Sequence, residues 1–322
     1  MIPAPPREDP PVPRFLTIGA AQTGPIARTE TRTQVVDRLI ALLRQGASQG
    51  CELVVFPEAT LTAFFPHWWI EDEAELDAWF ETEMPSNETA PLFAEARRLG
   101  IGFHLGYCEL VRDGDRKRRF NTAILVGPDG AIIGKYRKIH LPGHAGHEPW
   151  RPFQNLEKRY FEIGDLGWPV WRAFGGVTGM MICNDRRWPE AWRVLGLQGA
   201  ELVVLGYNTP RHDPTTPQHD RLAEFHNALS MQAGAYQNGC WVVGVAKAGV
   251  EEGIEQIGGS CIIAPTGEIV AQAITQGDEI VVARCDLDHA RPIKQGIFNF
   301  ARHRRPEHYR MIVDRTGAEP PD

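Results

Sequence analysis

Apolar and polar positions change period along the chain in a way that predicts strands separated by helices. Residues 15–21 (FLTIGAA) have the pattern of a strand, and residues 31–48 place apolar side chains at helical spacing. Residues 52–56 (ELVVF) form a continuous apolar run of the kind that is buried on both faces of a mixed or parallel sheet. The start of the chain therefore predicts the order strand, helix, strand.

Three further strand patterns predict an antiparallel meander at the side of this sheet. They cover residues 101–110, 120–126 and 131–140, and the sequence GPDG at residues 127–130 is a strong turn signal between the last two. A polar stretch, residues 141–167, separates this meander from the second part of the chain.

The second part of the chain repeats the alternation of strands and helices. A strand pattern at residues 177–182 is followed by a helix at 189–197, a strand at 201–205 and a helix at 218–236. The remaining strand patterns are residues 240–246, 259–263, 268–273 and 279–285. The whole pattern predicts an α/β fold.

Two segments of the chain are similar to each other. Residues 49–55 (QGCELVV) resemble residues 198–204 (QGAELVV), and each segment follows a helix pattern. The similarity indicates a repeated helix–strand unit, so that two similar halves would face each other across a shared site. Chance similarity between two buried strands is the alternative.

The boundaries of the pattern predict a single domain with two extensions. We expect a flexible, proline-rich lead-in over residues 1–13 and one domain over residues 14–285. Residues 286–322 carry aromatic side chains among many charges, so we expect a C-terminal tail that packs on another subunit.

The composition excludes several functional classes. The chain has 322 residues, and its 34 basic and 41 acidic side chains give a formal charge of −7, which leaves no broad positive field for nucleic acid. The apolar runs are far shorter than the ~18 residues that a membrane span needs. The N-terminus lacks the apolar stretch of a secretory signal, and the six cysteines form no C-x-x-C pair. We therefore expect a cytoplasmic protein with reduced thiols and no nucleic-acid or membrane partner.

The most informative segment for chemistry is residues 180–190 (MMICNDRRWPE), where a strand pattern ends at Cys183. Pro189 favours the first turn of a helix just beyond it. Amide N–H groups, a helix N-terminus and the charges of Arg186 and Arg187 would stabilise a thiolate, so Cys183 is a candidate nucleophile. The alternative is an inert, buried thiol at a strand end, which is the commoner state of a cysteine.

A cysteine nucleophile needs a base and a positive charge, and two other strand ends offer them. Glu58 directly follows an apolar strand pattern, where partial burial would raise its pKa into the range for proton transfer. Lys138 lies in the basic run of residues 134–140 (GKYRKIH). Either residue could instead be exposed, because Pro-Glu can end a strand in solvent and basic runs are usually solvated.

Metal-dependent hydrolysis is a competing interpretation of the polar stretch. His140, His144 and His147 lie close together in the sequence with Glu148, in a glycine-containing loop that could fold around zinc. Their spacing is not a standard ligand pattern, and pocket or surface histidines are the commoner interpretation. We therefore expect neither a metal nor a cofactor.

Three dispersed motifs together resemble the carbon-nitrogen hydrolase, or nitrilase, superfamily. They are residues 55–58 (VFPE), residues 134–140 and residues 182–186 (ICNDR), and they occur in the order that this family has. The resemblance covers nearly the whole chain. It implies a four-layer α-β-β-α sandwich.

The resemblance assigns four catalytic residues by their matching positions. It implies that Cys183 is the nucleophile, that Glu58 is the general base and acid, and that Lys138 stabilises the tetrahedral oxyanion. Glu157, within residues 156–161 (LEKRYF), matches a second glutamate that orients the other three. A carboxylate that accepts the thiol proton and a fixed ammonium beside the oxyanion are suited to these roles.

Longer segments are similar to the N-carbamoyl-D-amino acid amidohydrolases within that family. They are residues 118–122 (RRFNT), 184–193 (NDRRWPEAWR) and 206–210 (GYNTP). The similarity implies hydrolysis of a ureido bond to give a D-amino acid, ammonia and carbon dioxide. The preference for the D enantiomer rests wholly on this similarity.

A substrate with a carboxylate suits the paired arginines, because a guanidinium offers paired N–H donors. The similarity implies that Arg187 binds this carboxylate. The other residues that it places in the substrate pocket are Arg186, Asn184, His140, Asn155, Asn208 and Thr209. A surface ion pair is the alternative for Arg186. Asn155 stands where the subfamily has a second histidine, and because it cannot carry a proton we expect a different rate or substrate range.

Other members of the family are alternatives for the substrate: a β-ureidopropionase, a carbamoylputrescine amidase or an aliphatic amidase. The paired arginines favour an anionic substrate over a polyamine. A catalytically silent binding protein is disfavoured because Glu58, Lys138 and Cys183 are all present. By analogy with the family, we expect a small-molecule N-carbamoyl amino acid as substrate and a homodimer or homotetramer as the assembly.

Overall fold

Two six-stranded sheets form the centre of the protein. The computed structural model describes residues 13–114 and 116–320, so nearly all of the predicted lead-in lies outside the described residues. The strands are β1 (Phe15–Gln22), β2 (Leu53–Val55), β3 (Gly102–Asp113), β4 (Arg116–Val126), β5 (Ile132–Arg137), β6 (Val170–Ala173), β7 (Gly176–Ile182), β8 (Leu202–Tyr207), β9 (Trp241–Ala246), β10 (Ala248–Glu251), β11 (Ile254–Ile257), β12 (Cys261–Ile263), β13 (Ile269–Gln272) and β14 (Glu279–Asp286).

The protein also contains α-helices, some of which cover the outer faces of the sheets. They are α1 (Arg32–Ser48), α2 (Glu73–Asp77), α3 (Ala90–Leu99), α4 (Glu157–Tyr160), α5 (Pro189–Leu197), α6 (Ala223–Asn238), α7 (Arg291–Gln295), α8 (Phe300–His303) and α9 (Arg310–Asp314). Short 3₁₀ helices cover Phe65–His67, Cys183–Arg187, Pro217–Leu222 and Pro306–His308. Two of these 3₁₀ helices contribute residues to the site described below.

The two sheets have the same plan, with parallel strands inside and antiparallel strands outside. The first sheet has the order β14-β1-β2-β3-β4-β5 and the second has the order β13-β12-β9-β8-β7-β6. Strands β1, β2 and β3 are parallel, as are β7, β8 and β9. The predicted meander is confirmed, since β3, β4 and β5 are antiparallel neighbours at one edge of the first sheet.

The core explains why the central strands are apolar on both faces. In β2, Leu53 and Val55 join an apolar cluster that contains side chains of the second sheet, including Val203. Val54, between them, packs instead in a cluster with Leu39 of α1 and Leu92 of α3. Helices α5 and α6 pack against the second sheet in the same way. The predicted four-layer α-β-β-α sandwich is therefore confirmed.

Local signals in the sequence account for the helix boundaries. Thr31 caps α1, and its side chain and that of Gln34 form a reciprocal capping box. Pro189 is the first residue of α5, where its missing N–H costs no hydrogen bond. The predicted repeat is also present: β1–α1–β2 belongs to the first sheet and β7–α5–β8 to the second.

Three parts of the fold differ from the sequence expectation or were not predicted. The helix expected at residues 218–236 is divided into a 3₁₀ turn that starts at Pro217 and the α-helix α6, which starts at Ala223. The hairpin β10–β11 and the helices α2 and α3 were not predicted. Helix α3 does carry a helical signal, since its buried residues Leu92, Phe93 and Ala96 lie at helical spacing. The hairpin and α2 are short, and tertiary contacts rather than local pattern decide their structure.

The C-terminal tail begins by packing on its own domain. Asp288 pairs with Arg14, and the ring of Phe298 lies 5.0 Å from that of Tyr236 in α6. Further along, side chains of α9 such as Val313 are exposed. The predicted packing of this tail on another subunit stays a prediction. No helix in residues 13–114 or 116–320 is long and apolar enough to cross a membrane.

Candidate active site

The candidate active site lies where strands of the two sheets end. Glu58 follows β2, Lys138 follows β5, and Cys183 and Asn208 follow β7 and β8. Three of these strands, β2, β7 and β8, are inner parallel strands, and the carboxyl ends of such strands are the usual place for a binding crevice in α/β proteins. The fold therefore brings polar side chains from distant segments to one place.

Glu58 is completely buried, and both oxygens of its carboxylate accept hydrogen bonds. Oε1 accepts from Lys138 Nζ at 2.7 Å and from Asn121 Nδ2 at 2.8 Å. Oε2 accepts from the backbone N–H of Asn208 at 2.9 Å. The carboxylate is thus held in one orientation by groups from both sheets.

Two glycines allow the Pro57–Glu58 peptide to lie close to β3 of its own sheet and to β8 of the other sheet. A Cβ atom at Gly106 would lie 2.5 Å from the Pro57 carbonyl oxygen, and one at Gly206 would lie 2.2 Å from the Glu58 backbone nitrogen. Both distances are too short for real contacts. Any side chain at either glycine would therefore displace the peptide that positions Glu58.

Lys138 connects two carboxylates inside the protein. Its side chain is fully buried, and Nζ donates to Glu58 Oε1 at 2.7 Å and to Glu157 Oε2 at 2.6 Å. An ammonium has three N–H donors, so within the described residues one donor of Lys138 has no protein acceptor. This third donor is available for a developing oxyanion.

The shared lysine gives the two carboxyl groups different proton affinities. Burial alone would raise the pKa of Glu58, but the charge of Lys138 and its hydrogen bond lower that pKa below its usual value. Burial and the charge of Glu58 raise the pKa of Glu157 to about 7, although Lys138 opposes this shift. The sequence expectation that Glu58 has a raised pKa is therefore wrong, because that expectation did not include the buried lysine.

Cys183 lies in a strained turn between β7 and the 3₁₀ helix Cys183–Arg187. Its φ of 47° is in the left-handed region, which is uncommon for any residue except glycine and costs about 1–3 kcal/mol. The thiol donates to the Asn208 carbonyl oxygen, with Sγ 3.5 Å from that oxygen. Because Asn208 also binds Glu58, the thiol and the carboxylate meet at one residue.

The surroundings of Cys183 disfavour the thiolate form. Burial, followed by the negative charge of Glu58, raises its pKa, while Lys138 and Arg186 only partly oppose this shift. The sequence analysis expected a stabilised thiolate, and this expectation is wrong because the thiol is 6 % exposed. The nucleophile therefore needs a base that accepts its proton, and the ionised Glu58 is suited to that role.

A small cavity opens at Cys183, and we call it the inner cavity. Its volume is about 130 Å³. Seven of the residues proposed from the sequence line it: Glu157, Cys183, Asn184, Arg187, Asn155, Asn208 and Thr209. Glu58 and Lys138 lie behind this lining, with no exposed side-chain surface. The geometry therefore places the candidate nucleophile, Cys183, at the wall of the cavity and the Glu58 and Lys138 side chains beneath it.

The two neighbouring arginines have opposite environments. Arg186 is buried, and its guanidinium donates to the Cys183 carbonyl oxygen at 2.6 Å, to Asn227 Oδ1 at 2.8 Å and to Thr209 Oγ1 at 3.0 Å. It braces the turn at Cys183 and does not line the cavity. A surface ion pair, the alternative considered for Arg186, is wrong because this residue is only 1 % exposed to solvent.

Arg187 lines the inner cavity and a second, larger one. The larger one, which we call the outer cavity, has a volume of about 380 Å³ and also includes Asp213 and His219. Within the described residues, the Arg187 guanidinium makes neither a hydrogen bond nor an ion pair. Although the side chain is open to both cavities, partial burial and the charge of Arg186 lower its pKa. It is a cation without a carboxylate partner.

Asp185, which the sequence analysis did not select, organises the floor of the site. Its carboxylate is completely buried and accepts from Tyr136 Oη at 2.8 Å and from the backbone N–H of Ile182 at 3.0 Å. It also binds both the backbone and the ring of His140, each at 2.9 Å. Its position two residues after Cys183 was the available signal.

His140 contacts Asp185 instead of lining the inner cavity. Its ring also stacks on that of Trp188, with the ring centroids 5.0 Å apart. Asn155 does line the cavity, and its backbone N–H donates to His144 Nε2 at 3.3 Å. The substrate roles proposed for His140 and Asn155 stay predictions.

Two residues of the competing metal site are neighbours, with His144 Nδ1 3.7 Å from Glu148 Oε1, but each of the residues has another partner. His144 Nδ1 lies 2.7 Å from the Gly146 carbonyl oxygen, His147 stacks on Trp69, and Glu148 pairs with Arg151. Among the residues that the structure describes, no group of three or more histidine, cysteine, aspartate or glutamate side chains is placed to hold a metal ion.

Comparison with known proteins gives a consistent result. The model of the carbon-nitrogen hydrolase family matches residues 17–295. An N-carbamoylputrescine amidase from Solanum lycopersicum is 28% identical over 319 residues, which cover 95% of this chain and 98% of the relative. A citrullinase from Francisella tularensis is 27% identical and covers 86% of this chain and 91% of its own.

A solved structure shows the same fold. The carbon-nitrogen hydrolase from Helicobacter pylori G27 superposes with a TM-score of 0.80 over 94% of this chain and 100% of its own, at 24% sequence identity. This structural match extends over both sheets and their helices, in agreement with the four-layer architecture.

Proposed function

This chain belongs to the carbon-nitrogen hydrolase family, and we propose that it hydrolyses N-carbamoyl-D-amino acids to D-amino acid, ammonia and carbon dioxide. The relatives named above include an amidase and a citrullinase, and both names describe enzymes that act on amide or ureido bonds. The choice of substrate within that class is our proposal.

The first half of the proposed reaction forms a covalent intermediate on Cys183. Glu58 takes the thiol proton as the sulfur attacks the ureido carbon. The third N–H of Lys138 donates to the carbonyl oxygen as it becomes negative, which stabilises the transition state more than the bound substrate. One carbon–nitrogen bond then breaks, and Glu58 returns the proton to the departing nitrogen.

The second half hydrolyses that intermediate. Glu58 accepts a proton from one water molecule, whose oxygen attacks the thioester-like carbon and breaks the bond to Cys183. The thiol recovers its proton. The carbamic acid that results loses carbon dioxide, so one water and one carbamoyl amino acid give one amino acid, one ammonia and one carbon dioxide.

The observation that carries the substrate proposal is the unpaired Arg187 at the wall of the inner cavity. A guanidinium without a protein partner attracts a carboxylate, which can accept two of its N–H groups. In an N-carbamoyl amino acid, the carboxylate and the ureido nitrogen are bonded to the same Cα atom. A substrate held at Arg187 would therefore present its ureido carbon within the same cavity as Cys183.

Carbamoylputrescine is the second candidate, because one of the relatives is named for it. This substrate carries an ammonium instead of a carboxylate. Arg187 would repel that charge. Asp213, an acidic residue that also lines the inner cavity, already accepts hydrogen bonds from the hydroxyls of Thr215 and Thr216. Citrulline, the amino acid for which the other relative is named, carries both a ureido group and a carboxylate, as our proposal requires.

The direct test is a panel of N-carbamoyl-D- and L-amino acids, β-ureidopropionate, carbamoylputrescine and simple amides, with released ammonia measured. We expect turnover of the D-carbamoyl amino acids and none in the Cys183→Ala variant. Arg187→Gln should raise KM for these substrates while leaving hydrolysis of an uncharged amide unchanged. Higher kcat/KM for carbamoylputrescine than for any carbamoyl amino acid would refute the proposal.

Two further parts of the proposal concern the cellular compartment and the oligomeric state of the enzyme. The six cysteines are free thiols in the structure, which suits a reducing compartment such as the cytoplasm. We also propose a homodimer or homotetramer, supported by the exposed apolar side chains of α9, and light scattering on the purified protein tests it. A monomer at all concentrations would contradict the assembly and leave the chemistry unaffected.

A further inference from the structure

One wall of the inner cavity is built from four aromatic rings that come from three distant segments. Phe64 and His67 belong to the segment after Glu58, and Phe153 and His212 come from two loops. Successive ring centroids lie 4.9 Å apart for Phe64 and His67, 5.1 Å for His67 and Phe153, and 6.4 Å for Phe153 and His212. Each pair meets edge to face, so we call this surface the aromatic wall.

His67 is the unusual member of the aromatic wall. Its ring is 4 % exposed, lines the inner cavity and has no side-chain hydrogen bond to any residue that the structure describes. Burial, and then the nearby charge of Lys247, lower its pKa to about 3. The uncharged imidazole is therefore favoured near neutral pH. Phe64, His67 and Phe153 thus offer ring surface and a neutral polar edge, while the fourth ring, His212, pairs with Asp220.

The positions of Cys183 and Arg187 leave this wall for the side chain of the substrate. If the ureido carbon lies at the thiol and the carboxylate at Arg187, the third substituent of Cα must follow another part of the cavity lining. The aromatic wall is the large apolar surface that remains in the inner cavity. The outer cavity, which Arg187 also lines, is the competing location.

We propose that His67 and Phe153 form the side-chain subsite and select N-carbamoyl amino acids with a large, uncharged, preferably aromatic side chain. This inference rests on the proposed function and specifies its substrate class. Ring edges and faces attract each other, and a flat apolar side chain gains most from such a surface. Apart from Arg187, the charged residues that line the same cavity already have protein partners, since Arg151 pairs with Glu148 and Asp213 accepts hydrogen bonds from Thr215 and Thr216. A carboxylate or an ammonium on the substrate side chain would therefore lose its hydration without a free ion-pair partner.

The test compares kcat/KM for the N-carbamoyl derivatives of D-phenylalanine, D-alanine and D-aspartate. In the unaltered enzyme we expect the order phenylalanine, alanine, aspartate. Phe153→Ala and His67→Leu should each lower the phenylalanine-to-alanine ratio by about tenfold, equivalent to about 1.4 kcal/mol. Because both substrates are measured on one preparation, a loss of folded protein cancels from the ratio.

Two matched variants distinguish the subsite from its competitors. Phe153→Tyr retains the ring and should keep the ratio within about threefold. His219→Ala changes an exposed histidine of the outer cavity and should also leave the ratio unchanged. A ratio that responds to His219→Ala, or that responds to none of these variants, would overturn the inference while the proposed function stands. If the unaltered protein released no ammonia from any carbamoyl amino acid, the proposed function itself would fail, and this inference with it.

Discussion

Lys138 and Lys247 are both completely buried and both paired with glutamate, but they lie on different sides of the segment that follows β2. Lys138 Nζ binds Glu58 and Glu157 beneath the inner cavity. Lys247 Nζ lies 3.2 Å from Glu251 Oε2 and also donates to the Thr62 carbonyl oxygen. The Glu251 carboxylate accepts from the backbone N–H groups of Phe64, at 2.7 Å, and Ile26, at 3.0 Å.

The two clusters differ in whether the lysine keeps an N–H donor without a protein acceptor. The Lys138 cluster lies directly behind a lining that contains Cys183 and Glu157, and it retains a free N–H donor. In the Lys247 pair, the ammonium donates to a backbone carbonyl group and the carboxylate accepts from backbone N–H groups. These hydrogen bonds hold the segment that carries Phe64. A buried ion pair is therefore not by itself a sign of catalysis. The free donor next to a cavity is the feature that matters.

The largest expected effect separates the two lysines by activity. Lys138→Met should lower kcat by at least about 10²–10³-fold, because it removes the donor to the oxyanion. Lys247→Met should lower kcat by less than about threefold, since no reacting atom depends on it. Steady-state ammonia release, normalised to the folded fraction from circular dichroism, makes the comparison. Equal losses in both variants would show that the distinction is wrong.

The second effect tests whether the Lys247 pair has a structural role. Lys247→Met leaves the Glu251 carboxylate buried without its cation, and breaking a buried pair in this way costs about 3–5 kcal/mol. Urea unfolding should therefore show a large decrease in the free energy of unfolding. The double variant Lys247→Met, Glu251→Gln serves as the control and should recover part of it, because no unpaired charge remains. A loss below about 1 kcal/mol in the single variant would contradict a structural role for the pair.

The third effect concerns pH and Glu157. A carboxyl group whose pKa is higher in the folded than in the unfolded protein contributes its full stabilisation at low pH, where it is protonated in both states. This contribution is lost as the pH rises through the pKa of the group in the folded protein. For Glu157 the window runs from its ordinary value of 4.5 to about 7. Between about pH 5 and pH 8, the unaltered protein should lose stability relative to Glu157→Gln, by on the order of 3 kcal/mol.

Thermal unfolding across that pH range checks this prediction. Glu148→Gln provides a control, because this carboxyl group is paired with Arg151 and does not contact Lys138. Parallel curves for the unaltered protein and Glu157→Gln would show that Glu157 is ionised throughout the range.

The smallest effect is expected from Asn155→His at the cavity lining. A histidine there can carry a proton near neutral pH, whereas the amide of Asn155 cannot. We expect a change in kcat/KM that differs between carbamoyl amino acids. The same kcat/KM values across the whole panel would remove any role for this position in substrate choice.

The sequence predicted the parts of the protein that are encoded locally. Helix α5 has the predicted bounds, because Pro189 starts it and its apolar positions have helical spacing. Glu58, Lys138 and Cys183 were selected because each follows a strand pattern within a motif. In the structure, Cys183 and Glu58 both bind Asn208, and Lys138 binds Glu58.

Other features depend on contacts that a single sequence does not display. Lys247 is one polar residue after an apolar strand, and its structural role appears only when Glu251 and the Thr62 carbonyl reach it. The aromatic wall likewise joins segments that are far apart in the chain. Arg186 and Arg187 are neighbours of the same type, so nothing local indicates which of them faces the cavity.

The central claim is that Cys183, with Glu58 and Lys138, forms a covalent intermediate with a ureido substrate. Acid quenching during turnover of an N-carbamoyl-D-amino acid, followed by peptide mass spectrometry, tests it directly. The account predicts an adduct on the peptide that contains Cys183, with the mass of either a carbamoyl group or the substrate minus ammonia, and no adduct in Cys183→Ala. Undiminished ammonia release by Cys183→Ala, or an adduct confined to another cysteine, would contradict the claim.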